Sequence, residues 1–377
     1  MKIVIAPDSF KECLTAAQVA SAIETGFKEI LPDAQYVKVP VADGGEGTLQ
    51  SLVDATGGRF VEVPVTDPLG HRIKAEFGLL GDGKTAVIEM ARASGLELVS
   101  PDQRDPMTAT TLGTGELIRS ALDQGVEKII VGMGGSATND GGAGMMQALG
   151  VRLLNDDGKE LPYGGGPLQN LGKIDTSDMD QRLRSVEIIA ACDVDNPLIG
   201  ENGASAVFGP QKGATPDAVA ALDHSLGHYA RIMERDLGVS VCDAPGAGAA
   251  GGMGAALLGF LNARLESGID IVMDAVGLAE KVKGANLVIT GEGRIDGQTA
   301  QGKTPVGVAR IAKSFDLPVV ALAGSVGQGA EAVYARGIDA LFPVVHGAVT
   351  LEQALMKGEE NLIRAARNLA MALTMKL

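Results

Sequence analysis

Six carboxylates carry the first chemical signal in this 377-residue chain: Asp8, Asp43, Glu46, Asp193, Glu292 and Asp296. Each lies just past a short run of apolar, strand-forming residues, where a β-strand would end. In open α/β sheets, ligands bind in the crevice beyond the carboxyl ends of the strands. Carboxylates gathered there can hold a divalent cation, and one beside an alcohol can accept its proton. Phosphoryl transfer to an alcohol uses both, with cations or backbone amides meeting the charge on the moving group. The same acids also serve as ordinary helix caps. Alone, they indicate a chemistry and not a reaction.

Glycine patterns narrow this unequally. GLLGDGKT at 78–85 matches the phosphate-loop pattern, but it sits between two strand-like runs and reads as a hairpin turn. GQTAQGKT at 297–304 is followed by a helical pattern with Pro305 in its first turn. There, however, the strand reads as ending at residue 290. That leaves 291–296 in between, so a true phosphate loop is not expected, although Lys303 near a helix start could meet a phosphate. GMGGSA at 132–137 follows a strand and fits the dinucleotide pattern, with Asp156 at about the required spacing of ~20 residues. This supports a rival reading as an NAD-dependent dehydrogenase of a small hydroxy acid. Against it, TNDGG at 138–142 prolongs the loop where the helix should have begun, and the first strand leads into Ala6-Pro7-Asp8 with no glycine. His224 and His228 share a helix face without a third ligand nearby, so they read as solvated.

Composition excludes other classes. The net charge is −15 and no Lys/Arg run occurs, so nucleic acid is not an expected partner. An acidic protein can bind a nucleotide only with amides, placed cations and a metal such as Mg²⁺ offsetting the phosphates. Three widely spaced cysteines fit a reducing, cytoplasmic setting, and the apolar run at 3–6 is too short for a signal peptide. The 20 uncharged residues between Asp243 and Arg264 include Pro245, Asn262 and six glycines. They read as a glycine-rich loop entering a buried helix, with no membrane association. With 45% hydrophobic residues but only 3% aromatics, the core must be aliphatic; the 52 glycines imply many sharp turns and close approaches.

The positioning elements follow from periodicity. Residues 3–6 form a strand, a Thr15/Gln18 capping box opens a helix, and 36–41 form a second strand before Asp43. Residues 59–66, 72–80 and 85–90 read as antiparallel strands joined by turn residues. Alternation of strand and helix returns at 114–131, and again from 286 to the end with a helix at 330–336, a last strand at 340–345 and one long final helix. The predicted fold is α/β with two unlike domains. Residues 1–65 plus 284–377 form a discontinuous parallel three-layer domain, with 108–145 as a further candidate segment, and 66–283 form an inserted mixed α/β domain.

Several long motifs in order resemble the bacterial glycerate kinase type 1 family from Lys2 nearly to the C-terminus. They are IAPDSFK at 5–11, ADGGEGT at 42–48, GGSATNDGG at 134–142, ACDV at 191–194 with NPL at 196–198, FGPQKGA at 208–214, GAGAAGG at 246–252 and TGEG at 290–293 with Asp296, Gln298, Thr299, Gly302 and Lys303. The resemblance departs after Lys11, where Glu12-Cys13 replaces the family's frequent Gly-Ser. It implies a Rossmann-like domain, a cleft active site, and ATP- and Mg²⁺-dependent phosphorylation of glycerate, most simply (R)-glycerate to 2-phosphoglycerate; a 3-kinase regiochemistry is the alternative. The expected roles are Lys11 and Lys303 on phosphate or substrate carboxylate, Asp193 as general base, and Asp43 and Glu46 on the metal. Gly134, Gly135, Ser136, Asn139, Gly291 and Gly293 would hold ATP phosphates, and Asp8, Ser9 and Asp296 the substrate. A monomer or homodimer is expected.

Overall fold

The structure, a computed structural model, describes residues 1–41 and 48–375. Asp43 and Glu46 lie outside the described residues. Numbering the described strands β1 to β13 along the chain, two compact units separate: Met1–Thr56 with Ile269–Leu377, and Gly57–Gly268.

The first unit is built on five parallel strands in the order β13-β12-β11-β1-β2: Ala340–Pro343, Val319–Val326, Leu287–Ile295, Lys2–Ile5 and Gln35–Lys38. From β1 the chain winds one way to β2 and, on its return, the other way through β11, β12 and β13. The topological switch point therefore falls between β1 and β11, the place where ligands bind in doubly wound sheets. The helix Ala16–Lys28 starts at the Thr15/Gln18 capping box and buries Val19, Ile23 and Phe27. Burying Phe27 completely contributes about 2–3 kcal/mol. It packs on the helix Gly358–Leu373 at the distance set by Gly26, where a Cβ would lie 2.3 Å from the Ile363 carbonyl oxygen.

The second unit carries a six-stranded mixed sheet, β10-β9-β6-β5-β4-β3. Strands β3 (Arg59–Thr66), β4 (Arg72–Leu79) and β5 (Thr85–Glu89) pair antiparallel. Strands β5, β6 (Lys128–Gly132), β9 (Glu187–Ala191) and β10 (Arg264–Glu266) pair parallel. Its carboxyl edge thus collects the loop after Gly132 and Asp193. A separate hairpin joins β7 (Arg152–Leu154) and β8 (Lys173–Asp175). The helix Ala249–Leu261 is buried, and no described helix is long and apolar enough to cross a membrane.

Several elements differ from the sequence reading. β3 pairs wholly with β4 in the second unit, so residues 57–65 lie with that sheet. Residues 269–283 pack in the first unit and 108–145 in the second. Ala330–Arg336 forms a 3₁₀ helix, and the final helix is two segments, Leu351–Met356 and Gly358–Leu373. β11 runs on to Ile295, five residues beyond its expected end, because β12 continues beside it.

Candidate active site

At the switch point, β1 delivers Asp8 and β11 delivers Glu292. The Asp8 N–H donates to the Gly291 carbonyl at 2.8 Å, which fastens the loop after β1 to β11. Asp8 Oδ1 accepts the Ser9 N–H, and its Oδ2 accepts Thr304 Oγ1 at 2.6 Å from the first turn of the helix Thr304–Lys313. Both carboxylate oxygens are therefore solvated by fixed donors. Glu292 is treated differently. It is 8% exposed, and Thr299 Oγ1 donates to its Oε1. Burial pushes its carboxyl up to about 7; the Thr299 bond and the Lys303 charge act against this, while Asp8 and Asp296 add to it. A buried carboxyl pushed toward neutrality beside a second, hydrogen-bonded acid is a candidate acid or base.

The remaining expected residues of this unit fall unevenly. Lys303 is the N-cap of the helix Thr304–Lys313, half-buried, and its charge acts on Glu292. Lys11 is exposed in the turn after Phe10. Ser9 sits beside Asp8. Asp296 is spent on the loop itself, pairing with Arg294 Nε at 3.1 Å and accepting the Gln298 N–H. Gly291 and Gly293 do not form a loop; they lie inside β11. A Cβ at Gly291 would lie 2.1 Å from the Leu322 carbonyl oxygen, so that glycine lets β12 close in.

Only Asp296 separates β11 from Gly297, so the GQTAQGKT segment does follow its strand directly, against the expected gap. It is still no phosphate cradle, for a different reason. The N–H groups of Gly297, Gln298, Thr299, Gln301, Gly302 and Lys303 all donate within the chain. The GLLGDGKT match is the β4–β5 hairpin turn, with the Lys84 and Thr85 N–H groups on Asp82 Oδ1.

In the second unit the loop after β6 behaves oppositely. Gly134 and Gly135 are exposed, and nothing lies within 4 Å of a Cβ at Gly134. Among the described residues, the N–H groups of Gly134, Gly135 and Ser136 donate to no protein acceptor. Such outward amides suit an anion. The helix Ala143–Ala148 begins only after Gly142, and Asp156 lies beyond β7 near its hairpin, which removes the dinucleotide-fold reading. The side chains of this loop face inward. Asn139 is fully buried with Nδ2 on Ser205 Oγ at 2.9 Å, and Ser136 Oγ accepts Lys212 Nζ. Asp193, exposed after β9, accepts the Gly268 N–H at 3.0 Å.

Sequence reasoning passed over Thr299, Thr304 and Lys212 as individual residues. Their signal was present, since all three sit inside or beside the ordered motifs, but the partners of Thr304 and Lys212 are far away in the chain.

A parallel five-stranded sheet in one unit and a mixed six-stranded sheet in the other define an α/β protein. The chain belongs to the glycerate kinase family, whose model matches residues 3–374. It is 60% identical to a glycerate kinase of Bacillus subtilis over 98% of this chain and 97% of that one. It is 56% identical to the glycerate 2-kinase of Escherichia coli K12, over 99% and 98% of the two chains. A crystal structure from Salmonella typhimurium LT2, provisionally designated glycerate kinase 2, is 58% identical and superposes with a TM-score of 0.90, covering 99% of this chain and 98% of that one.

Proposed function

We propose that this chain transfers the γ-phosphoryl group of ATP to the 2-hydroxyl of (R)-glycerate, giving 2-phosphoglycerate and ADP, with Mg²⁺. The observation that carries the reading is the pair of unlike acids at the β1/β11 switch point, in a chain 56% identical to a named glycerate 2-kinase. In the reaction the substrate oxygen bonds to phosphorus and the bond from phosphorus to the ADP oxygen breaks. The hydroxyl proton passes to a carboxylate.

Lys11 and Lys303 are assigned to phosphate or to the substrate carboxylate, and Asp8, Ser9 and Asp296 to substrate. Gly134, Gly135, Ser136, Asn139, Gly291 and Gly293 are assigned to nucleotide phosphates, the first three through their amides. Asp43 and Glu46 are the assigned metal ligands, and the metal would neutralise charge on the phosphates. Asp193 is the assigned proton acceptor. A second reading gives that role to Glu292, favoured because its buried carboxyl titrates near neutrality, where a general base works best. The three cysteines are free, which supports a cytoplasmic setting; a monomer or homodimer is proposed.

The test is ADP release with glycerate, hydroxypyruvate, tartronate and lactate as acceptors, with Mg²⁺ present and removed. Mg²⁺-dependent turnover specific to glycerate supports the reading. ADP release with none of them would overturn it.

A further inference from the structure

The loop 134–140 turns its polar side chains away from solvent. Ser136, Asn139 and Asp140 are all buried. Asp140 accepts Thr111 N–H and Oγ1 together with the Gly142 and Gly144 N–H groups, and Asn139 is tied to Ser205. The exposed part of the loop is the Gly134–Gly135 backbone, and its shape depends on what grips the buried residues that follow it.

Lys212 grips it from behind. It ends the 3₁₀ turn Pro210–Lys212 and is 1% exposed. Its Nζ donates to Ser136 Oγ and to the Thr138 carbonyl oxygen, each at 2.7 Å. The turn is itself braced. Gly213 has φ +93°, and a Cβ there would lie 2.5 Å from the Arg104 carbonyl oxygen. Ser205, on the preceding helix Ala204–Phe208, supplies the parallel tie to Asn139. Burying an ammonium is costly. Here burial pushes Lys212 down to about 7, with the Asp140 charge acting the other way. An apolar side chain would fill the space at less cost, but it could not hold two loop acceptors at once.

We propose that Lys212 is a positioning residue for nucleotide binding: by holding Ser136 Oγ and the Thr138 carbonyl, it presets the exposed Gly134–Gly135 turn, and the N–H groups of Gly134, Gly135 and Ser136 that donate to no described protein acceptor, for phosphate. The inference rests on the reading that this loop meets the nucleotide. Lys212 acts through the loop and touches no substrate.

The experiment compares Lys212→Met, Ser136→Ala and the double variant for thermal unfolding, calorimetric ATP binding, and KM for ATP and for glycerate. Lys212→Met should weaken ATP binding about tenfold while the glycerate KM stays within about twofold. Ser136→Ala should weaken ATP binding about threefold, and the double variant no more than Lys212→Met alone, because the two substitutions remove one shared contact. A folded Lys212→Met protein with unchanged ATP affinity would mean that Lys212 serves stability only, and would overturn the proposal. If that variant does not fold, Ser136→Ala decides, and unchanged ATP affinity there overturns it. ATP binding by the unsubstituted chain without glycerate phosphorylation would sink the functional reading and leave this comparison standing. No ATP binding by the unsubstituted chain overturns both.

Discussion

Thr304 Oγ1 donates to Asp8 Oδ2 at 2.6 Å, joining residues 296 positions apart in the chain. The bond ties the first turn of the helix Thr304–Lys313 to the end of β1. Thr304 is fully buried and Asp8 nearly so. Replacing Thr304 with the isosteric Val removes a donor to a buried carboxylate at the cost of about 1.5–3 kcal/mol. Urea unfolding should record that loss, and kcat should fall with it, since Asp8 loses the hydroxyl that orients its Oδ2. A variant of unchanged stability would show that this bond holds nothing.

Glu292 makes stability depend on pH with a definite sign. Its folded value of about 7 lies above the unfolded 4.5, so the folded state keeps a proton that the unfolded state releases. The stability contribution is fully present below about pH 4.5 and is lost as pH rises through about 7. Glu292→Gln removes that dependence. It should therefore be more stable than the unsubstituted protein at pH 8, by at most about 3 kcal/mol, and no more stable at pH 4.5. Thermal unfolding at the two pH values checks this, and an equal gain at both would refute the assignment.

The two readings of the proton acceptor separate by substitution. If Asp193 accepts the proton, Asp193→Asn should lower kcat by about 10²–10⁴-fold while Glu292→Gln keeps the neutral-pH plateau. If Glu292 accepts it, the large loss moves to Glu292→Gln, and the acidic limb of the rate profile near pH 7 disappears with it. Steady-state rates between pH 5.5 and 9 distinguish the outcomes.

Gly291→Ala should act through folding. Its Cβ would meet the Leu322 carbonyl oxygen in the paired strand, so β11 and β12 must separate, at a cost of about 3 kcal/mol or more. Reduced melting temperature should accompany any loss of activity. Loss of ATP affinity at full stability would restore Gly291 to the phosphate site.

Glu12 occupies the left-handed region, with φ 61°, which strains an L side chain and which glycine adopts freely. Glu12→Gly should stabilise by about 0.5–1 kcal/mol, read by chemical denaturation. A less stable variant would contradict this.

Much of this architecture could be read from local pattern. The Thr15/Gln18 capping box, the antiparallel run β3–β5 and the parallel strands of the terminal segments all rest on residues close in sequence. The misreadings share one cause. Gly291-Glu292-Gly293 has the composition of a turn, yet it is strand because β12 continues beside it. Lys212 in Pro-Gln-Lys-Gly has the composition of an exposed turn, yet its ammonium is buried because Ser136 and Thr138, more than 70 residues earlier, supply its acceptors. The resemblance implies Ser136 and Asn139 at the phosphates; the fold turns both side chains inward, onto Lys212 and Ser205. Contacts distant in the chain leave no local periodicity to read.

The central claim is tested most directly by ³¹P NMR of the mixture after the chain has acted on ATP, Mg²⁺ and (R)-glycerate. The account predicts 2-phosphoglycerate appearing in equal amount with ADP. A 3-phosphoglycerate product, or ADP without any phosphorylated glycerate, would contradict it.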